Sequence, residues 1–341
     1  MDPIVAGLVL LLFTDVPALL AAVTLKIYLS VILLVILLLL SYLWLIDKLT
    51  PSESQSRKDS TLGLLRVYPP EISTSSAETL GGDAHTAIIF VHGLGANPSA
   101  TWTSEGTCWI TDFLPGDLQD RGLQSRVRLF VFNYKSFWLR RSNLQLSETA
   151  SALLQELASD ELLADNIILV GHSYGGLVIK KALAMLPELK PRLKGIIFLG
   201  TPHQGTSVSR YGLLFSDVLA PLGSDIDIMR MLEPGSYYLN DLQTDFHKHF
   251  KDATKRYIFE KEKTYRQVWG VITWMDEFMV TKHSATWGAD GPDAFGLDTD
   301  HRGLNRFKTR DHNYRLVSRE IIAMLMKKSE GLHGRLSCES F

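Results

Sequence analysis

The chain has 341 residues, 46% of them hydrophobic, and its 35 Lys and Arg against 37 Asp and Glu leave a formal net charge of −2. That length and apolar content suffice for one large or two ordinary domains with a full core. The balanced, scattered charge excludes an electrostatic footprint for nucleic acid. The two cysteines, Cys108 and Cys338, are far apart and not in a metal-ligand spacing; they could pair, but two free thiols in a reducing compartment is the simpler reading.

In chain order, the first element is apolar. Ile27 to Ile46, IYLSVILLVILLLLSYLWLI, carries no charge and has the roughly 20 residues needed to span a bilayer. Tyr42 and Trp44 near its end, followed by Asp47 and Lys48, fit an interfacial belt. Upstream, residues 3–25 are also apolar but are interrupted by Asp15 and Pro17, so the anchor is either a single span at 27–46 or a hairpin with a second span. A cleaved leader is the competing reading, against which stand the length of the block and the lack of a basic start. Lys48, Arg57, Lys58 and Arg66 follow the span, and the positive-inside rule then places the following domain in the cytosol. An endoplasmic reticulum or mitochondrial membrane is compatible with this.

Residues 49–82 are rich in Pro, Ser, Thr and Gly and read as a linker, with a short early strand as an option at Leu62 to Val67. A globular domain is expected over 83–328, and a tail over 329–341. It opens with Thr86 to Val91, TAIIFV, a buried parallel-type strand running into His92-Gly93-Leu94-Gly95. This loop suits half of an oxyanion hole, with the backbone N–H of Leu94 facing the site; for His92 a structural hydrogen bond is preferred to catalysis. Trp102 and Trp109 are expected to pack against the core. Arg128 to Tyr134 is a further strand, and in Ser136 to Ser142, SFWLRRS, a solvated loop with buried rings is preferred to a contact with lipid headgroups. From Ser147 a helix is expected, since Ala150, Leu153, Leu154 and Leu157 recur at i, i+3, i+4 and i+7.

The central stretch is Asn166 to Met185, NIILVGHSYGGLVIKKALAM. Four buried-type apolar residues, Ile167 to Val170, lead into Gly171-His172-Ser173-Tyr174-Gly175 and then a helix. A G-x-S-x-G sequence between strand and helix is a nucleophile elbow, so Ser173 is the candidate nucleophile and the N–H of Tyr174 the second oxyanion donor. The competing reading is an ordinary tight turn whose serine caps the helix. Alternating strands and helices at this spacing mean an α/β fold with a mostly parallel central sheet and helices on both faces.

Lys194 to Leu199 forms the next strand and ends in Gly200-Thr201-Pro202-His203-Gln204-Gly205. FVHGLG, LVGHSYGG and FLGTPHQG in this order resemble the lipase-like α/β-hydrolases of the serine-active-site-containing and PGAP-like type, and in particular the fungal form found alone or ahead of NACHT and ankyrin modules. The similarity runs from about Ala87 to about Phe307. It implies an α/β-hydrolase fold, a Ser–acid–His triad, activity on lipid or acyl-ester bonds, no metal and no organic cofactor. It implies a structural part for His203. Family members carry a Glu at the end of the strand matching Lys255 to Phe259, and an Asp-His pair in a loop before the last helix. The resemblance therefore implies Glu260 as the acid and His301 as the general base, with Glu262 and Asp276 as rival acids. A further strand is expected within Val268 to Thr281 and a final helix over Ser318 to Lys328. Ahead of both, residues 206–250 hold the position of a lid with an apolar face at Leu213, Leu214, Phe215, Val218 and Leu219, though core packing is the preferred reading of such a stripe.

The function expected from these readings is a membrane-anchored serine hydrolase that cleaves a lipid or acyl ester. A silent hydrolase-fold interaction module and an acyltransferase using the same triad are the alternatives. The membrane and a lipid or acyl-ester substrate are the expected partners, and nucleic acid is not; protein partners are left open.

Overall fold

The computed structural model describes residues 23–42, 62–70, 85–94, 98–134, 142–159, 162, 166–207, 226–268, 271–274 and 278–327. By its internal contacts the chain divides into two compact units, Met1–Ser60 and Thr61–Phe341. In the first, helix α1 (Val23–Tyr42) has 20 residues, a mean hydropathy of 2.8 and exposed side chains on every face. At 1.5 Å per residue it is about 30 Å long, the thickness of a bilayer's hydrocarbon core. The Ser41 hydroxyl donates to the Leu38 carbonyl at 2.9 Å, so that side chain is satisfied within the helix. The helix starts four residues ahead of the expected 27–46, and residues 43–46 and most of 3–25 lie outside the described residues.

The second unit is built on seven strands: β1 (Gly63–Tyr68), β2 (Thr86–Val91), β3 (Val127–Asn133), β4 (Asn166–His172), β5 (Leu193–Leu199), β6 (Lys255–Glu260) and β7 (Ala294–Leu297). Their order across the sheet is β1-β3-β2-β4-β5-β6-β7. Only β1 runs antiparallel; the remaining pairs are parallel. The helices are α2 (Ser142–Leu157), α3 (Tyr174–Met185), α4 (Tyr237–Phe250) and α5 (His312–Met326), beside several shorter turns of helix.

Strand β2 explains the layering. All six of its residues are buried, because helices cover both faces of a parallel sheet. Ala87, Ile89 and Val91 join one apolar cluster with Leu153 of α2, Leu177 of α3 and Phe246 of α4. Ile88 and Phe90, pointing the other way, join Trp102, Trp109 and, from α5, Tyr314 and Ile321. Phe90 meets both tryptophans edge-on, at 5.3 and 5.4 Å between ring centroids. Such continuous two-sided burial is why the strand reads as an unbroken apolar run.

Three sequence expectations shift. Within the stretch read as linker, the early strand offered at Leu62 to Val67 is present as the edge strand β1, Gly63–Tyr68, paired from Gly63 opposite Asn133. The segment expected as a further strand within 268–281 forms a separate antiparallel hairpin, Tyr265–Val268 with Val271–Trp274, and the sheet instead closes with β7. Four residues, AFGL, with a glycine inside and Gly-Pro ahead, carry no periodic signal; parallel pairing with β6 makes them a strand. Helix α5 begins at His312, six residues before the expected start, because Asp311 caps it by accepting the Tyr314 N–H at 2.9 Å. Of the expected lid, 208–225 lies outside the described residues, while Met231, Leu232 and Phe246 are core residues. SFWLRRS falls almost wholly outside them too.

Parallel pairing has one consequence for function. The C-terminal ends of β2, β4, β5, β6 and β7 lie along one edge of the sheet, and their loops carry Leu94, Ser173, Gly200, Glu260 and His301. In open parallel sheets this edge is where sites form.

Candidate active site

Ser173 stands between β4 and α3 with φ 53° and ψ −125°, a conformation that side-chain-bearing residues rarely adopt. Its neighbours permit the turn by having no side chain. A Cβ on Gly171 would lie 2.7 Å from the Gly176 backbone, and one on Gly175 would collide with the carbonyls of Val91 and His92. The Ser173 N–H donates to the Leu199 carbonyl at 2.8 Å, and its own carbonyl accepts the Gly176 N–H at 3.0 Å. The serine is thus pinned between β5 and the first turn of α3, with 4% of its surface exposed. Gly93 passes directly over it: a Cβ there would sit 3.2 Å from that of Ser173. Leu94, next in the chain, and Tyr174 are both buried, whereas Gly95 lies outside the described residues.

Glu260 ends β6 with its carboxylate buried. One oxygen, Oε1, accepts the Val280 N–H at 3.0 Å, and the other, Oε2, lies 2.8 Å from His301 Nδ1. Both side chains of this pair are nearly fully enclosed, at 2% and 1% exposure. A carboxylate can only accept, so the His301 proton at this contact sits on Nδ1. Nε2 of the same ring is buried with no hydrogen-bond partner among the described residues. The ring lies against Gly200, where an added Cβ would come within 2.9 Å of His301 Cε1 and Nδ1. Gly200 follows Leu199, the residue that accepts the Ser173 N–H. Ser173 and His301, distant in sequence, therefore both abut the end of β5.

Of the rival acids, Glu262 is exposed and only its backbone N–H engages the His301 loop, at the Thr299 carbonyl, while Asp276 lies outside the described residues. Asp300, beside His301, accepts the Gly303 N–H at 2.9 Å and so shapes the loop rather than meeting the ring. His92 is buried and stacked on Tyr134 at 4.2 Å, with Nδ1 2.8 Å from the Gly93 carbonyl. Burial lowers its pKa to about 4, which favours the neutral ring. His203 lies beneath the site and meets the Lys180 amine at 3.2 Å; Lys180 also donates to Gln243. Burial lowers the Lys180 pKa to about 7. Among the described residues, no cluster of three or more His, Cys, Asp or Glu side chains is arranged to hold a metal.

Two contributors escape a reading of residue types. The Val280 amide that steadies Glu260 is a backbone group any residue would supply. Ser284 ties the loop after β5 together: its hydroxyl donates to the Gly205 carbonyl at 2.7 Å and its carbonyl accepts the His203 N–H at 3.1 Å.

A parallel sheet, a strained serine at a strand–helix turn and a buried carboxylate–imidazole pair at the same edge together define a hydrolase-type architecture. The alpha/beta hydrolase family model matches residues 88–325, well over half the chain, and the chain belongs to that family. Protein SERAC1 of Mus musculus is 25% identical over 255 residues, which cover 66% of this chain and 36% of that protein. Its Danio rerio counterpart is 26% identical over 250 residues, with coverages of 66% and 36%. The chain thus spans about a third of the length of these curated relatives. Among solved structures, the mature Bacillus licheniformis lipase BlEst2 gives a TM-score of 0.47 at 18% identity over 76% of this chain and 99% of that one. Phospholipase PlaB from Legionella pneumophila gives 0.40 at 16% identity over 53% and 40%.

Proposed function

We propose that the chain is a membrane-anchored serine hydrolase that cleaves a carboxylic ester through an acyl-enzyme, with Ser173 as nucleophile, His301 as general base and Glu260 as its orienting acid. The observation that carries the reading is the buried Glu260–His301 pair, packed on the same strand end as the strained serine. A serine hydroxyl is a poor nucleophile until an imidazole takes its proton. In this reading His301 Nε2 accepts the Ser173 proton as Oγ attacks the ester carbon. The imidazolium so formed is stabilised by Glu260, which the Val280 amide holds in place. His301 then returns the proton to the departing alcohol, and water, activated by the same ring, releases the acid. The N–H groups of Leu94 and Tyr174 are assigned to the oxyanion, a contribution of about 100- to 1,000-fold in rate for each such donor.

A lipid or other acyl ester suits an enzyme tethered by α1, since a bilayer presents such esters at high local concentration. The serine-active-site-containing and PGAP-like affiliation rests on the FVHGLG, LVGHSYGG and FLGTPHQG motifs. A cytosolic orientation rests on the basic residues that follow the apolar block.

The test is the hydrolysis of p-nitrophenyl butyrate by the full chain in detergent. Ser173→Ala, His301→Ala and the double variant should each lose about 1,000-fold or more in kcat, with the double variant no worse than the singles, because the residues act as a unit. Additive losses, or turnover preserved in Ser173→Ala, would refute the assignment.

A further inference from the structure

His172 immediately precedes the serine, and the reading above gives it no role. It is buried at the end of β4, and its Nε2 lies 3.1 Å from the backbone carbonyl of His301. The two imidazole rings are 5.1 Å apart at a tilt of 42°. A carbonyl oxygen only accepts, so the proton on His172 is on Nε2 and the ring donates to the loop that carries His301. A second proton is disfavoured: burial foremost, then the neighbouring His301, Arg306 and His92, hold its pKa well below the usual histidine range. Nδ1 is then a bare acceptor turned toward the other loop of the site, 3.5 Å from where a Gly93 Cβ would stand.

We propose that His172 is a positioning residue: as a neutral Nε2–H donor it clamps the backbone of His301 to the strand that bears Ser173, and so sets the distance between nucleophile and base. The inference rests on the Ser173–His301 reading. The His301 loop has other backbone bonds, from Thr299 N–H to the Leu297 carbonyl, from Gly303 N–H to the Asp300 carbonyl and from Glu262 N–H to the Thr299 carbonyl, but these lie within the loop, at the end of β7 or just past β6, and none of them reaches β4. Glu260 likewise fixes the ring against β6. The His172 bond instead runs from the serine's own strand, across β5, to the base. Misplacement of a base by about 1 Å costs on the order of 100-fold in rate, so a clamp of this kind has a kinetic signature.

The test compares His172→Phe, which keeps bulk without a donor, with His172→Gln, whose amide nitrogen can reach the same carbonyl. The rate of labelling by a fluorophosphonate probe, kcat and KM for p-nitrophenyl butyrate, and the thermal midpoint are measured for each, with Ser173→Ala alongside. Expected for His172→Phe is a loss of roughly 10- to 100-fold in kcat and labelling rate, with KM within about 2-fold. His172→Gln should recover to within about 5-fold of wild type. If His172→Phe does not fold, His172→Asn, one methylene short of that carbonyl, carries the same expectation. Wild-type rates in His172→Phe beside an inert Ser173→Ala would overturn the clamp while leaving the serine reading intact. Equal losses in the Phe and Gln variants would overturn it too. Full labelling of Ser173→Ala would remove the serine reading itself, and the clamp with it.

Discussion

Ser173 holds a backbone conformation that glycine alone adopts freely, at φ 53° and ψ −125°. Such strain costs on the order of 1–3 kcal/mol, and a glycine there would relieve it at an entropic cost of roughly 0.5–1 kcal/mol. Ser173→Gly should therefore abolish turnover while raising the thermal midpoint by about 2–4 °C, as about 1 kcal/mol does in a domain of this size. A lower midpoint would show that the turn is not strained. The proposed nucleophile was legible in sequence as a candidate because G-x-S-x-G requires particular residue types at fixed spacing. The proposed acid could not be singled out from residue types alone: Glu260 stands in the charged run Glu260-Lys261-Glu262-Lys263, and only the fold separates its buried carboxylate from the exposed Glu262. His172 was visible as a letter of the motif, but its bond to the His301 carbonyl links residues 129 apart and leaves no local pattern.

Among the elements, α1 and the sheet follow different rules. From Ile27 onward the helix carries no charge, and its side chains are exposed on every face, which water penalises and lipid does not. Full-length protein should stay in the membrane pellet after alkaline carbonate extraction, and a chain beginning at residue 61 should be released. Release of the full chain would contradict a spanning helix. Strands β2 to β5 were legible because burial on both faces writes an unbroken apolar run of four or five residues, as in IILV of β4 or IIFL of β5. The strand β7 was not, because its four residues depend on pairing with β6 rather than on their own propensity. The hairpin at 265–274 misled for the opposite reason, since its β-branched and aromatic residues signal strands that then pair with each other.

Across the whole molecule, buried neutral bases link stability to pH. His92, with a pKa lowered to about 4, and His172 and His203, both held well below their usual range, titrate near 6.5 once unfolded. Between those limits the unfolded chain takes up protons that the folded chain refuses. Their contribution is therefore complete above pH 6.5 and is lost as pH falls, by about 1.4 kcal/mol per pH unit for each group. Lys180, lowered from 10.5 to about 7, extends the trend, so stability should keep rising from pH 7 toward 9. Melting of the full chain in detergent at pH 5, 6, 7, 8 and 9 checks this, and Lys180→Met should flatten the part above pH 7; a slope there unchanged in the variant would contradict the assignment. The full chain treated with a fluorophosphonate and digested with trypsin should yield a single modified peptide, residues 142–180, with the adduct on Ser173, and the His301→Ala variant should form it at least about 1,000-fold more slowly. An adduct on another residue, or labelling of Ser173 that does not depend on His301, would contradict the account.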